Sequence, residues 1–221
     1  MDYQNIQNRI IEAPVEIEKI REVYNKMSRI YFLATPLEKK ARMRGIELAK
    51  IQPNDKVLEV AVGIGHSFLE ILKRVGRGNT VYGLDLSPAM LEKTRKLALK
   101  NGYFNFELRE GDARRLPFPD EMFDVVYNSY MLDLVPIEEF SIILNEFHRV
   151  LKKDGRLILV NLSKKNSSPV LIEKIYKLAP YLMGGCRPVL MAAFARQAGF
   201  RNVIREVPDS IFPSEIVACL K

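Results

Sequence analysis

Gly63 and Gly65 lie between a short apolar run, KVLEVAV at residues 56–62, and a helix-like pattern beginning near His66. Glycine tolerates positive φ and admits a ligand where a Cβ would intrude, so this corner reads as a binding loop. Twenty residues after Gly65, Asp85 closes a second apolar run. A carboxylate at that point can accept both hydroxyls of a ribose. A dinucleotide fingerprint would need a third small residue three positions beyond Gly65, and that position is Phe68. Its bulk would crowd the helix–strand packing that a glycine permits, so NAD falls behind a single nucleoside as the expected ligand.

These residues need a scaffold, and the chain supplies a recognisable one. From Lys56 onward, β-type runs alternate with helix-type stretches, the pattern of a parallel sheet covered by helices. Strands are expected at 56–62, 80–86, 104–110, 123–129, 155–162, 202–207 and 215–221, with crossover helices joining the first five. Ser87 followed by Pro88 is an N-cap and first-turn signature for a helix that Gly102 ends, and a second helix, IEEFSIILNEFHRVLKKDG, is expected to end at Gly155. About fifty residues before the first strand have helical spacing and an apolar face, and residues 163–200, with the hinge-like pair Gly184 and Gly185, interrupt the sheet order. Both regions could cover the carboxyl edge of the sheet, where open α/β sheets bind ligands.

Composition narrows the classes. The 221 residues are 48% apolar and 28% charged, ordinary for one core-forming domain. No apolar stretch approaches the ~20 residues of a bilayer span, and the polar start MDYQNIQNRI lacks a signal peptide's apolar region, so a cytoplasmic location is expected. The net charge of +7 is scattered through short runs without interleaved aromatics, which argues against nucleic acid. Cys186 and Cys219 are isolated, so neither a disulfide framework nor a metal site is indicated.

The chain from Lys56 to Lys221 resembles the class I S-adenosylmethionine-dependent methyltransferases. The likeness is carried by EVAVGIG, by Asp85, by GDARRLPFPDEMFDVV, by NSYMLDLVP and by HRVLKKDGRLILVNLS. Ala61 departs from the usual first glycine of the loop. The resemblance implies S-adenosylmethionine as cofactor and S-adenosylhomocysteine as product. Glu59, Ala61, Gly63 and Gly65 would serve its amino-acid end, Asp85 with Leu86 and Met90 its ribose side, and Gly111, Asp112 and Ala113 its adenine. Asn128 and Ser129 would carry its methionine. The implied fold is α/β and Rossmann-like: a seven-stranded, mostly parallel sheet with an antiparallel last strand, helices on both faces and an N-terminal helical cover. It would form one domain, divided into a cover (1–52), a cofactor-binding core (53–162), a substrate-side lid (163–200) and closing strands (201–221).

Within the superfamily the layout is most similar to the ubiquinone/menaquinone biosynthesis C-methyltransferases, which implies a small hydrophobic acceptor, quinone-like or lipid-like. Transient contact with a membrane surface and oligomerisation are both compatible with this. Methyl transfer is an in-line displacement that leans on alignment. Asp133 is the carboxylate expected to face the methyl position, with Tyr130 beside it, although Asp133 could equally cap the next helix. His66 reads as first-turn decoration, His148 as structural, Arg114 and Arg115 as solvated loop, and Tyr24 and Tyr31 as core or lid. Phospholipid or other N- and O-methyl transfer, and a cofactor-binding partner protein without catalysis, stand as alternatives.

Overall fold

The structure is a computed structural model that describes residues 10–12, 35–164, 186–208 and 213–221. Residues 1–9 and 13–34 of the N-terminal cover, with Tyr24 and Tyr31, and residues 165–185 of the lid, with the pair Gly184 and Gly185, lie outside the described residues.

The elements run α1 (Thr35–Leu48), β1 (Val57–Val60), α2 (His66–Leu72), β2 (Val81–Asp85), α3 (Pro88–Lys100), β3 (Phe106–Glu110), β4 (Phe123–Ser129), α4 (Phe140–Val150), β5 (Leu151–Leu162), α5 (Met191–Gln197), β6 (Arg201–Glu206) and β7 (Ser214–Leu220). The seven strands form one sheet in the order β3-β2-β1-β4-β5-β7-β6. β3, β2, β1, β4 and β5 pair in parallel, and β7 inserts antiparallel between β5 and β6. This is the expected Rossmann-like sheet, with its last strand antiparallel.

Two apolar layers hold it. Helices α1, α2 and α3 bury Ala41, Ile46, Phe68, Ile71 and Leu91 against one face. Helices α4 and α5 bury Phe140, Ile143, Phe147, Met191 and Phe194 against the other. In α4 the buried positions Phe140, Ile143, Leu144, Phe147 and Val150 recur at helical spacing, which is why that segment folds as an amphipathic helix against the sheet. The expected Ser87 cap forms, its Oγ accepting from the Met90 N–H at 3.3 Å.

Two expectations fail. The helix expected to reach Gly155 stops at Val150, because Leu151 is already extended and pairs with Phe123 at the foot of β4. The β3–β4 crossover holds no helix. Pro117 and Pro119 deny it continuous helical hydrogen bonds. Instead, Leu116 and Phe118 plug the core directly, Phe118 meeting Phe123 edge-to-face at 5.1 Å. Arg149 of α4 fastens this loop by donating to the carbonyls of Phe118 and Leu116. His148 packs edge-on against Phe200, in keeping with a structural part.

Gly45 sets how closely α1 approaches the sheet. A Cβ there would lie 2.7 Å from Val160 Cγ2 and 3.3 Å from the Tyr127 ring. Gly45→Ala gains about 1 kcal/mol of helix propensity but forces a buried β-branched side chain to move, at roughly 1–3 kcal/mol. The overpacking wins, so chemical denaturation should find the variant less stable than wild type by roughly 1 kcal/mol.

Candidate active site

The strand order reverses between β1 and β4, and a cleft of about 870 Å3, its open mouth included, lies at that switch point. One wall is the loop after β1. Ala61, Gly63 and Gly65 all take positive φ, at 61°, 55° and 86°. A Cβ on Gly65 would strike the Thr94 backbone at 2.9 Å, and Thr94 Oγ1 in turn donates to the Gly63 carbonyl at 2.9 Å, so α3 clamps the loop. Ala61 holds its left-handed conformation without glycine's freedom, a local strain of the kind that concentrates at functional loops.

Phe68 does not crowd the packing. It is fully buried, edge-on to Phe106 at 6.1 Å, and the space it needs comes from Gly83 in β2, where a Cβ would sit 2.9 Å from its ring. The small residue that a dinucleotide fingerprint puts on the helix stands here on the neighbouring strand.

Asp85 ties the loop to the cleft. Its Oδ2 accepts from the Gly63 N–H at 2.8 Å and its Oδ1 from the Ser87 N–H at 2.9 Å. Burial raises the pKa of its carboxyl to about 6, against the pull of backbone donors from Ser87, Gly63 and Leu86. Leu86, Ser87 and Met90 continue this wall.

Gly111, Asp112 and Ala113 line the far end. Asp112 is gripped by Arg114, whose Nη2 donates to Oδ2 at 2.6 Å and whose Nε donates to both oxygens. Burial works against ionisation of Asp112, but the Arg114 hydrogen bonds and charge outweigh it and hold the carboxyl below its ordinary value. Arg114 also reaches Glu139 Oε1 at 3.0 Å, leaving Glu139 Oε2 buried without a partner in the same wall. Sequence reasoning missed both residues. Arg114 looked like loop solvation, and Glu139 sits 25 positions from its partner.

At the end of β4, Ser129 and Tyr130 line the cleft and Asn128 does not. The Asn128 Nδ2 donates to the Val60 carbonyl at 2.9 Å, while its Oδ1 is buried and unpartnered. Glu59, like Gly65, also stands behind the lining; its Oε2 is buried without a partner. Burial lifts the Glu59 carboxyl well above its ordinary range, against the nearby charge of Arg42.

Asp133 is displaced from its expected place. It is fully buried away from the cleft, with Oδ2 accepting from the Leu162 N–H at 3.1 Å. Nor does it act as a cap, since the next turn, Ile137–Glu139, starts from Pro136 with no side-chain cap. The cause is Tyr130. At φ 52° it breaks strand alternation immediately after β4, so residues beyond it no longer face where spacing along an extended chain would put them. The Tyr130 hydroxyl is 2.8 Å from Ser214 Oγ, and burial pushes the phenol well above its ordinary value, so it stays neutral.

A smaller polar recess adjoins the cleft past Ala61 and Gly63, bounded by Glu38 and Arg42 of α1 and by Ser129 and Tyr130.

Residues 57–155 match the family described as "Methyltransferase domain". The demethylmenaquinone methyltransferase of Listeria monocytogenes is 32% identical over 154 residues, which make up 67% of this chain and 64% of that protein. Residues 57–155 are a methyltransferase domain. It spans just under two thirds of the length of that Listeria relative. Among solved structures, a methyltransferase of Haloferax volcanii in complex with the Trm112 activator has a TM-score of 0.73 at 16% identity, over 91% of this chain and 96% of that one. A Thermotoga maritima S-adenosylmethionine-dependent methyltransferase gives 0.65 at 20% identity, over 90% and 99%. At such identities these two speak for the fold alone.

The donor set of this domain fits S-adenosylmethionine. Unpartnered buried acceptors, Glu59 Oε2 and Asn128 Oδ1, sit on the paired strands β1 and β4 behind the cleft wall, and they suit an ammonium. The cleft is lined by the carboxylates of Asp85, Asp112 and Glu139, which suit a cationic nucleoside rather than a phosphate.

Proposed function

We propose that the protein transfers a methyl group from S-adenosylmethionine to a hydrophobic, quinone-like acceptor. The observation that carries this is the composition of the cleft beyond Tyr130, where Met131, Leu134, Val135 and Ile143 form an apolar wall opposite Asp85 and the glycine loop. The relatives named as demethylmenaquinone methyltransferases support the acceptor class.

When bound, the cofactor supplies an electrophilic methyl group on sulfur. The chain's own residues hold and aim. Asp85 would accept from the ribose hydroxyls, with Leu86 and Met90 packing beside them. Asp112, kept ionised by Arg114, and Glu139 Oε2 would together receive the adenine amino group, while Gly111 and Ala113 keep the wall narrow. Glu59, Asn128 and Ser129 would serve the amino-acid end around Ala61 and Gly63, with Gly65 fixing the loop.

Among the described residues the carboxylates lining the cleft are Asp85, Asp112 and Glu139, and each has a binding task. Asp133 does not line the cleft, and Tyr130, kept neutral by burial, acts as a positioning wall. What the described residues contribute is alignment of the reacting groups.

The test is incubation with methyl-labelled S-adenosylmethionine and, separately, a reduced demethylmenaquinone analogue, phosphatidylethanolamine and a simple amine. Label on the quinol carbon is expected. Label on the phospholipid or amine alone would replace the acceptor class, and cofactor binding without label on any acceptor would mark a non-catalytic binding protein.

A further inference from the structure

Ile10, Ile11 and Glu12 lie outside the matched domain and yet fasten onto one wall of the cleft. Ile10 is buried in the apolar layer that also holds Val135, Phe140 and Ile143. The Ile11 carbonyl accepts from Arg187 Nε, and the same guanidinium holds the carbonyls of Asp133 and Val135. Glu12 comes next. Its Oε1 accepts from the Ile137 N–H at 3.0 Å, across 125 positions of chain.

That N–H opens the turn Ile137–Glu139, which Pro136 precedes without offering a side-chain cap. The first N–H groups of a helical turn find no partner within it, so this one must be met from outside. Water can meet an exposed N–H, and the net gain from a protein acceptor is only about 1 kcal/mol. Stability is therefore a weak reason for the contact. Position gives a stronger one, because the turn is three residues long and its last residue, Glu139, lines the cleft with Oε2 buried and unpartnered. Two contacts fix that carboxylate: Arg114 Nη1 donates to its Oε1 at 3.0 Å, and Glu12 pins the backbone two residues upstream. Ile10 in the core and Ile11 on Arg187 anchor Glu12 in turn.

We propose that Glu12 is a positioning residue for Glu139: it caps the Ile137–Glu139 turn from outside the matched domain and so sets Glu139 Oε2 against the amino group of the purine. This rests on the adenine role given to Glu139 above. It makes the choice of purine depend on the N-terminal segment as well as on the domain itself. Asp112 keeps its own share of that choice, because Arg114 holds it without help from Glu12.

The test exchanges the purine's amino group. Isothermal titration of the full chain uses S-adenosylhomocysteine and S-inosylhomocysteine, in which a carbonyl oxygen replaces the amino group and would face the two carboxylates. Wild type should prefer the adenosyl ligand. Glu12→Ala should reduce that preference roughly 3- to 10-fold, the loss of one cap. Glu12→Gln keeps an oxygen for the Ile137 N–H and should stay within about twofold of wild type. In a Glu139→Ala background, Glu12→Ala should change the preference less than about twofold, because the residue it acts through is gone. No change on Glu12→Ala, or equal losses for both ligands, would overturn the inference alone. So would a Glu12→Gln as impaired as Glu12→Ala, or an undiminished loss in the Glu139→Ala background. A wild type that binds both ligands equally would instead overturn the adenine role of Glu139, and this inference with it.

Discussion

Arg187→Met should lower the unfolding free energy by roughly 3–5 kcal/mol. Arg187 is fully buried, donating from Nη1 to the Asp133 carbonyl at 3.0 Å and from Nη2 to the Val135 carbonyl at 2.6 Å. Its Nε donates to the Ile11 carbonyl. One side chain thereby joins the segment before α5, the turn after β4 and the stretch around Ile11. Removing a buried charge relieves some desolvation cost, but two buried carbonyls and one part-buried carbonyl lose a charged donor, and each is worth about 1–3 kcal/mol. The deficit outweighs the relief. For a domain of this size it corresponds to a melting temperature lower by about 10 °C, measurable by calorimetry. Asp133 adds a pH signature. Burial raises the pKa of its carboxyl to about 7, and the Arg187 charge opposes that rise. A carboxyl whose folded pKa is raised loses stability as pH climbs from its unfolded value toward the folded one. Without Arg187 that loss continues to higher pH, so the variant's deficit should widen between about pH 6 and 8. A deficit under about 1 kcal/mol would show that the carbonyls find other donors.

Asp85→Asn should weaken S-adenosylmethionine at least about 30-fold and remove the pH dependence of binding. The carboxylate both accepts from Gly63 and Ser87 and faces the cleft, so the amide loses charge at the ribose and one backbone acceptor. In the wild type burial raises the pKa of this carboxyl to about 6. The cofactor-free protein therefore loses stability as pH rises from about 4 to about 6, while the ionised form is the one suited to two ribose hydroxyls. Affinity should be flat above about pH 6 and fall nearly tenfold per unit below it. The stabilisation given by the cofactor should be correspondingly larger at about pH 7.5 than at about pH 5. Thermal shifts measured at both pH values for both proteins check this. An affinity for the wild type that does not vary between about pH 5 and 8 would place the ribose contact elsewhere.

Much of the site could be read from short stretches of chain. The β1 loop, Asp85, the Gly111–Ala113 corner and Ser129 are each local to one strand end, and strand ends in a parallel sheet converge by construction. The readings that failed depended on where the chain goes after a strand stops. Asp133 looked catalytic on the assumption of continued alternation, and the left-handed Tyr130 cancels that assumption. Phe68 looked like an obstruction because its accommodation depends on Gly83 of a different strand. The second long helix ends short of Gly155 because, although KKDG resembles a helix terminus, pairing of Leu151 with Phe123 claims the chain first.

The sequence by itself determined the seven strands, the binding loop, the acid that closes β2 and, through them, the likeness to methyltransferases. These follow from periodicity and turn chemistry within about twenty residues. Only the tertiary structure decided that Arg114 and Glu139 share the wall of Asp112, that Asp133 is a buried anchor for Leu162, and that Glu38 and Arg42 stand beside the glycine loop. Those contacts join residues whose separation in the chain carries no pattern, and they are set by how closely helices such as α1 pack on the sheet.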